Sequence, residues 1–232
     1  MTEYKNYDGY YKYDKQVADS YEETRCNERH WQMEDRFVKR YFQKNRVEKL
    51  LDIPIGTGRF LKYYDCAESV VGVDISESMI EKCREKLLSN IFKNPILLEK
   101  GDVFNLQFDD LEFDCVIVFR LFHLMSEEAV KVAIKELCRV SSKDIIVQSY
   151  VQPNKFNSII KKITTKLSLL YKNSNVSLLQ KSKPWSHIQA YYHNSNLLNL
   201  EFQKYSFLPA YTRSIDNYGG YVVKATVYSK KS

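Results

Sequence analysis

Leu51-Asp52-Ile53-Pro54-Ile55-Gly56-Thr57-Gly58-Arg59-Phe60 follows the apolar run VEKLLDI and leads into GRFLKYYD. A strand that passes through a glycine turn into a helix lets backbone N–H groups approach a nucleotide-like ligand closely, because glycine has no Cβ to stand in the way. After a second apolar run, VVGVDI, Asp74 stands sixteen residues beyond Gly58. There an acid can accept both hydroxyls of a ribose. Alone, Gly-x-Gly is as readily a tight turn; strand, loop, helix, strand and acid in this order favour the ligand reading. No Gly-Lys-Ser/Thr follows, so this is not a Walker loop, and the third glycine of the common NAD fingerprint is missing. A cofactor poor in phosphate is indicated.

Outward from this segment, between Val47 and Ser149, short apolar runs alternate with longer amphipathic ones. ILLEKGDV, FDCVIVF and DIIVQSY read as strands, and SESMIEKCREKLLSNI and EEAVKVAIKELCRV read as helices. Such alternation implies right-handed βαβ crossovers and an α/β fold, a Rossmann-like doubly wound sheet that is mostly parallel. LEFQKYSFL and YVVKATVYS, separated by Gly219 and Gly220, alternate apolar and polar residues and predict an antiparallel C-terminal strand at the sheet edge. At the other end, Trp31, Phe37, Val38, Tyr41 and Phe42 fall on one face of a helix over His30–Phe42, with His30 expected at the surface. The division expected is a helical N-terminal lid over residues 1–44 and a main domain over 45–232. Within the latter, 151–199 is a helical insertion that sets substrate specificity, with helices over 157–170 and 186–198.

Composition narrows the function classes. With 232 residues, 44% of them hydrophobic, the chain can bury one large core. No uncharged apolar run reaches the ~20 residues needed to cross a bilayer. The start MTEYKNYDGYYKYD is polar and aromatic where a signal peptide is apolar, which argues against secretion. Cys26, Cys66, Cys83, Cys115 and Cys138 form no CxxC pair and read as reduced thiols, mostly core filler, of a cytoplasmic protein. No His, Cys or acid cluster has metal-ligand spacing, so no metal site is expected. The formal charge of +6 is unevenly spread. Ile145 to Leu200 holds seven lysines (155, 161, 162, 166, 172, 181 and 183) and not one acid.

The motifs LLDIPIGTGRFL, VVGVDISESMIEKCRE, GDVFNLQF, FDCVIVFRLFHLM and ELCRVSSKDIIV stand in order over residues 47–149. In this the sequence resembles the class I S-adenosylmethionine-dependent methyltransferases, in particular the small-molecule branch with an LDxPxGTGRF loop. The resemblance implies S-adenosyl-L-methionine as cofactor. It places Asp52, Ile53, Pro54, Gly56, Thr57 and Gly58 in the loop beneath the cofactor, Asp52 supporting it. It gives Asp74 to the ribose diol and Ile75 and Met79 to the adenine faces. Asp102 and the Val103 N–H would read the adenine edge. Phe119 and Arg120 would stand where the sulfonium meets the acceptor. Tyr13-Asp14 with Ala18, Tyr21 and Arg25 resembles the YDxxAxxY segment that folds over the cofactor, so Tyr13, Tyr21 and Arg25 are candidate ligands of its carboxylate. Pro54 departs from the family's usual first loop glycine and removes an N–H donor.

Methyl transfer from a sulfonium is an in-line displacement, catalysed largely by alignment and exclusion of water. Where the acceptor must lose a proton, His123, four residues past the fourth apolar strand, is the candidate base; a packed histidine is the alternative. His187, beside Trp185, is a second pocket candidate, and His193 would lie on another face of the same helix. The expectation is methyl transfer to an O or N atom of a small, anionic acceptor drawn by the lysine-rich block. Three readings stay open beside it: action on RNA, action at an anionic membrane surface, and cofactor binding without catalysis.

Overall fold

The computed structural model describes residues 13–152, 190–218 and 221–231. Five strands run parallel: β1 (Val47–Asp52), β2 (Ala67–Asp74), β3 (Ile96–Lys100), β4 (Phe113–Val118) and β5 (Ser141–Val151). Two more follow after the last helix. β7 (Tyr221–Lys230) pairs antiparallel with both β5 and β6 (Phe207–Tyr218), giving the order β3-β2-β1-β4-β5-β7-β6. The sheet is therefore mostly parallel with an antiparallel C-terminal strand, as the sequence pattern predicts.

β4 is a nearly continuous apolar run, and β1 is buried from Leu50 onward, because both sheet faces are covered there. Leu51, Val116 and Val118 pack with Ile134, Leu137 and Phe202 on one face, whereas Leu50, Cys115 and Ile117 pack with Phe37, Val38 and Tyr64 on the other. Neighbouring residues point to opposite layers, the period of two that a strand imposes. The covering helices are α1 (Lys15–Arg25), α2 (Arg29–Lys44), α3 (Glu77–Leu88), α4 (Glu127–Val140) and α5 (Ser195–Gln203). Asp14, Ser76, Ser126 and Asn194 each cap a helix by accepting a backbone N–H. Such a cap stabilises its helix by about 1 kcal/mol.

Several local expectations are corrected. GRFLKYYD forms turns and a 3₁₀ helix over Leu61–Cys66 instead of an α-helix. β2 starts at Ala67, which leaves a short connection that the greater rise of a 3₁₀ turn can span. LEFQKYSFL begins in a helix: Leu200–Gln203 end α5, whose Leu198, Glu201 and Phe202 are buried, and β6 begins only at Phe207, after Ser206 at φ 65°. His193 lies before that helix, not in it; its N–H donates to Tyr150 O (2.8 Å) and its Nε2 lies 2.8 Å from Phe122 O. His30 is buried, with Nε2 3.0 Å from Glu28 Oε2, because the first turn of α2 tucks in beside the strand tips. Cys83, Cys115 and Cys138 are buried and Cys26 and Cys66 exposed, all five as free thiols. The seven lysines of the acid-free block, the 157–170 helix, Trp185, His187 and the hairpin glycines lie outside the described residues.

Candidate active site

Sheet order reverses between β1 and β4, and in an open α/β sheet the crevice for a ligand opens at the strand tips beside such a reversal. The loop after β1 is stitched down on both sides: Ile53 N–H donates to Ile117 O and Ile55 N–H to Val73 O, each at 2.9 Å. Ile55 fills the gap above Gly72, where a Cβ would come within 2.1 Å of its Cδ1. Gly56 and Gly58 take φ values of 57° and 74°, left-handed backbone that favours glycine. A Cβ on Gly58 would sit 2.5 Å from Leu61 Cδ1 and 2.7 Å from Cys83 Sγ, whereas one on Gly56 would meet nothing within 4 Å.

Asp74, at the tip of β2, receives the N–H of Gly56 on Oδ2 and that of Ser76 on Oδ1, both at 2.9 Å. Its carboxylate fixes the loop and the start of α3 at once. Burial pushes its pKa up to about 6 against these bonds. Asp52 is buried under the loop and accepts from Tyr64 Oη at 2.6 Å; burial pushes it up to about 7.

These residues frame a narrow cleft of about 60 Å³. Pro54, Gly56 and Thr57 line one side, Asp74, Ile75 and Met79 a second, and Phe119 and Arg120 a third. Tyr13, Tyr21 and Trp31 close it, linked edge to face with centroids 6.0 Å apart at each step. The N-terminal segment is fastened by Ser76 Oγ to Tyr13 O (2.5 Å), Thr57 Oγ1 to Glu22 Oε1 (2.7 Å), Lys82 to Asp19 (2.8 Å) and Lys86 to Glu22. Glu22 thus ties α1 to the glycine loop and to α3. These groups are partly exposed, so Glu22→Ala is expected to cost below about 1 kcal/mol of stability while raising hydrogen exchange in Lys15–Arg25 severalfold. Unchanged exchange would show that the tie is idle.

Other candidates stand apart from the lining. Ile53 and Gly58 lie within the loop's own packing. Asp102 accepts the Phe104 N–H at 3.1 Å and Val103 is buried in the core. Arg25 contacts Glu28 (3.6 Å) and lies 5.1 Å over the Tyr21 ring. His123, in a 3₁₀ turn after β4, stacks on Tyr150 at 4.7 Å and 18°.

The sequence reading missed Glu34, which is fully buried. Its Oε2 receives Arg59 Nη1 and Arg120 Nε (3.2 Å), and its Oε1 receives Gln148 Nε2 (3.0 Å). Gln148 Oε1 in turn accepts the backbone N–H of Arg120 at 3.0 Å, holding that residue at φ 59°. Trp31 packs against both guanidiniums, at 3.8 Å from Arg59 and 5.0 Å from Arg120. Burial pushes the Glu34 carboxyl up, but Arg120 and Arg59 outweigh it and hold it below the usual range. The signal available in sequence was its place on the apolar stripe, three residues after Trp31 and three before Phe37.

Among the described residues no group of three or more His, Cys, Asp or Glu is arranged to hold a metal ion, and no helix is long and apolar enough to cross a membrane. A glycine loop under a ribose-type acid, closed by aromatics, is the architecture of a nucleoside-cofactor site. Residues 50–144 match the family model described as a methyltransferase domain. The chain is 29% identical over 108 residues to phosphatidylethanolamine N-methyltransferase of Cereibacter sphaeroides, covering 46% of this chain and 53% of that one. It is 38% identical over 74 residues to demethylmenaquinone methyltransferase of Symbiobacterium thermophilum, 30% of this chain and 29% of that one. The chain thus spans about half or less of these curated relatives. Among solved structures, the PH0226 protein of Pyrococcus horikoshii OT3 superposes with a TM-score of 0.65 at 24% identity, over 94% of this chain and all of that one. Magnesium protoporphyrin IX methyltransferase of Synechocystis PCC 6803, with bound S-adenosylhomocysteine, gives 0.62 at 17%, over 87% and 84%. These likenesses establish the fold.

Proposed function

We propose that the protein is an S-adenosylmethionine-dependent methyltransferase that methylates an O or N atom of a small, anionic acceptor. The observation that supports this best is the coupling of Asp74 to Gly56: the ribose-type acid and the loop that would pass beneath the cofactor are one hydrogen-bonded unit. The open space at Gly56 and the apolar lining that Ile75 and Met79 give the cleft suit a flat nucleoside. When bound, the cofactor supplies an electrophilic methyl group on a sulfonium. Asp74 would hold the ribose, Ile75 and Met79 would flank the base, and Phe119 with Arg120 would border the reacting end. Tyr13, Tyr21 and Trp31 would exclude water, so that alignment does most of the work.

Residues 1–44 serve as the lid and 151–199 as the specificity insertion in this reading. The anionic preference is supported by Arg59 and Arg120, two guanidiniums at the cleft wall that Glu34 holds, with Glu28 3.7 Å from Arg120. His123 would take a proton from an acceptor O–H or N–H. Its variant His123→Gln should lower kcat while leaving S-adenosylhomocysteine affinity as in the wild type; unchanged kcat would assign the ring to packing on Tyr150. The reading as a whole is tested by calorimetry with S-adenosylhomocysteine, where saturable one-to-one binding is expected and no binding would overturn it.

A further inference from the structure

A second concavity lies along α2, away from the cofactor cleft, between that helix and the sheet edge at β6. It has a volume of about 560 Å³ and is lined by four cations: Arg36, Arg40 and Lys44 from the helix and Arg213 from the strand. The three helical cations recur every four residues, so they stand on one stripe about 6 Å apart along the axis. Like charges one turn apart repel each other, an arrangement that favours anion binding over helix stability. None of the four has an acidic partner within 4 Å among the described residues, although elsewhere on the surface Lys62 pairs with Asp35 and Lys82 with Asp19.

The acid among the lining residues is Asp144, and it does not neutralise the groove. It is buried, with Oδ2 receiving Tyr41 Oη at 2.7 Å and Oδ1 receiving Ser229 Oγ at 2.5 Å. One flat apolar surface completes the groove. Tyr211 is half exposed and stacks on Phe37 at 5.6 Å and 19°, so one ring face is backed and the other is presented. A peptide strand is a poor occupant of this edge: the β6–β7 register shifts at Pro209/Tyr211 and again at Ser214/Asp216, and Pro209 has no N–H. Recognition therefore runs through side chains.

We propose that this groove binds a nucleoside polyphosphate, with linked phosphates on Arg36, Arg40, Lys44 and Arg213 and the base on Tyr211. Guanidiniums bind phosphate oxygens in a fork, and an aromatic face accepts any base. Cations converging from a helix and a strand onto one concave space suit a compact polyanion; a flat membrane reaches only the exposed rim. The site is separate from the cofactor cleft and stands whatever the methyl acceptor is.

The test is calorimetry on the full chain with ATP, tripolyphosphate and adenosine, each with and without saturating S-adenosylhomocysteine. ATP is expected to bind one to one without competition from S-adenosylhomocysteine, and more weakly at 200 mM than at 50 mM salt. Arg36→Glu with Arg40→Glu should weaken ATP at least tenfold, and Tyr211→Ala should weaken ATP severalfold while leaving tripolyphosphate unchanged. Melting temperatures report whether the reversal variant folds, and Arg36→Gln with Arg40→Gln gives the same reading with less perturbation. Absent ATP binding, binding indifferent to either pair of substitutions, or competition by S-adenosylhomocysteine would overturn the site. Equal loss of ATP and tripolyphosphate in Tyr211→Ala would overturn the base contact. A labelled 20-nucleotide oligouridylate, or phosphatidylserine-containing vesicles, bound through these residues while ATP is not would overturn the ligand class.

Discussion

Glu34→Ala is expected to lower unfolding stability by about 3–5 kcal/mol, because it leaves the buried Arg59 without its counter-charge and Arg120 with Glu28 alone, at 3.7 Å. Glu34 is completely buried, Arg120 is 8% exposed, and Gln148 donates to the same carboxylate. The geometry gives this one side chain reach over the whole site: from α2 it holds Arg59 of the glycine loop, Arg120 at the tip of β4 and Gln148 of β5. Loss should therefore appear in S-adenosylhomocysteine affinity as well as in denaturant midpoint. Arg120→Met in the same chain should recover much of the stability, since one of the stranded charges is then gone. Its folded pKa is depressed, so the stability Glu34 contributes is present above the unfolded carboxyl pKa and is lost as pH falls through the folded value. The deficit of Glu34→Ala should thus shrink in acid. A loss below about 1 kcal/mol at neutral pH would mean that water replaces the carboxylate and that the network is not a clamp.

How much of this was legible in the sequence depends on how local the cause was. The glycine loop and Asp74 could be read because their relation is set by one strand–turn–strand unit, eighteen residues from Gly56 to Asp74. The parallel strands could be read because burial on both faces forces continuous apolar runs, as in Phe113–Val118. The Glu34 cluster joins residues 25, 86 and 114 positions apart, and nothing near Glu34 announces Arg59, Arg120 or Gln148. His30 was misread for the same reason: on an isolated helix it is polar, and only the packing of α2 buries it. The end of the chain failed differently. Leu198, Glu201 and Phe202 carry a helical period that a two-residue alternation over LEFQKYSFL concealed.

Replacing Asp74 by Ala is expected to weaken S-adenosylhomocysteine binding about ten- to a hundred-fold, or roughly 1.5–3 kcal/mol, the value of hydrogen bonds to a charged acceptor. Two effects add. The ribose would lose its acceptor, and the N–H groups of Gly56 and Ser76 would lose the oxygens that now position them at 2.9 Å. The pH dependence separates this role from a structural one. Burial raises the carboxyl from 3.8 to about 6, so between those values the folded protein keeps a proton that the unfolded chain releases. The ligand-free protein should accordingly lose stability as pH rises from about 4 to above 6. Ribose hydroxyls donate to the ionised form, so affinity should rise over the upper part of the same range and level off near neutrality. Asp74→Asn keeps the shape and cannot titrate, and its affinity should be low and flat with pH, apart from a weaker trend from Asp52, whose carboxyl burial pushes up to about 7. Wild-type and Asp74→Asn profiles that rise in parallel from pH 5 to 7 would assign the titration to Asp52 and remove Asp74 from the ribose.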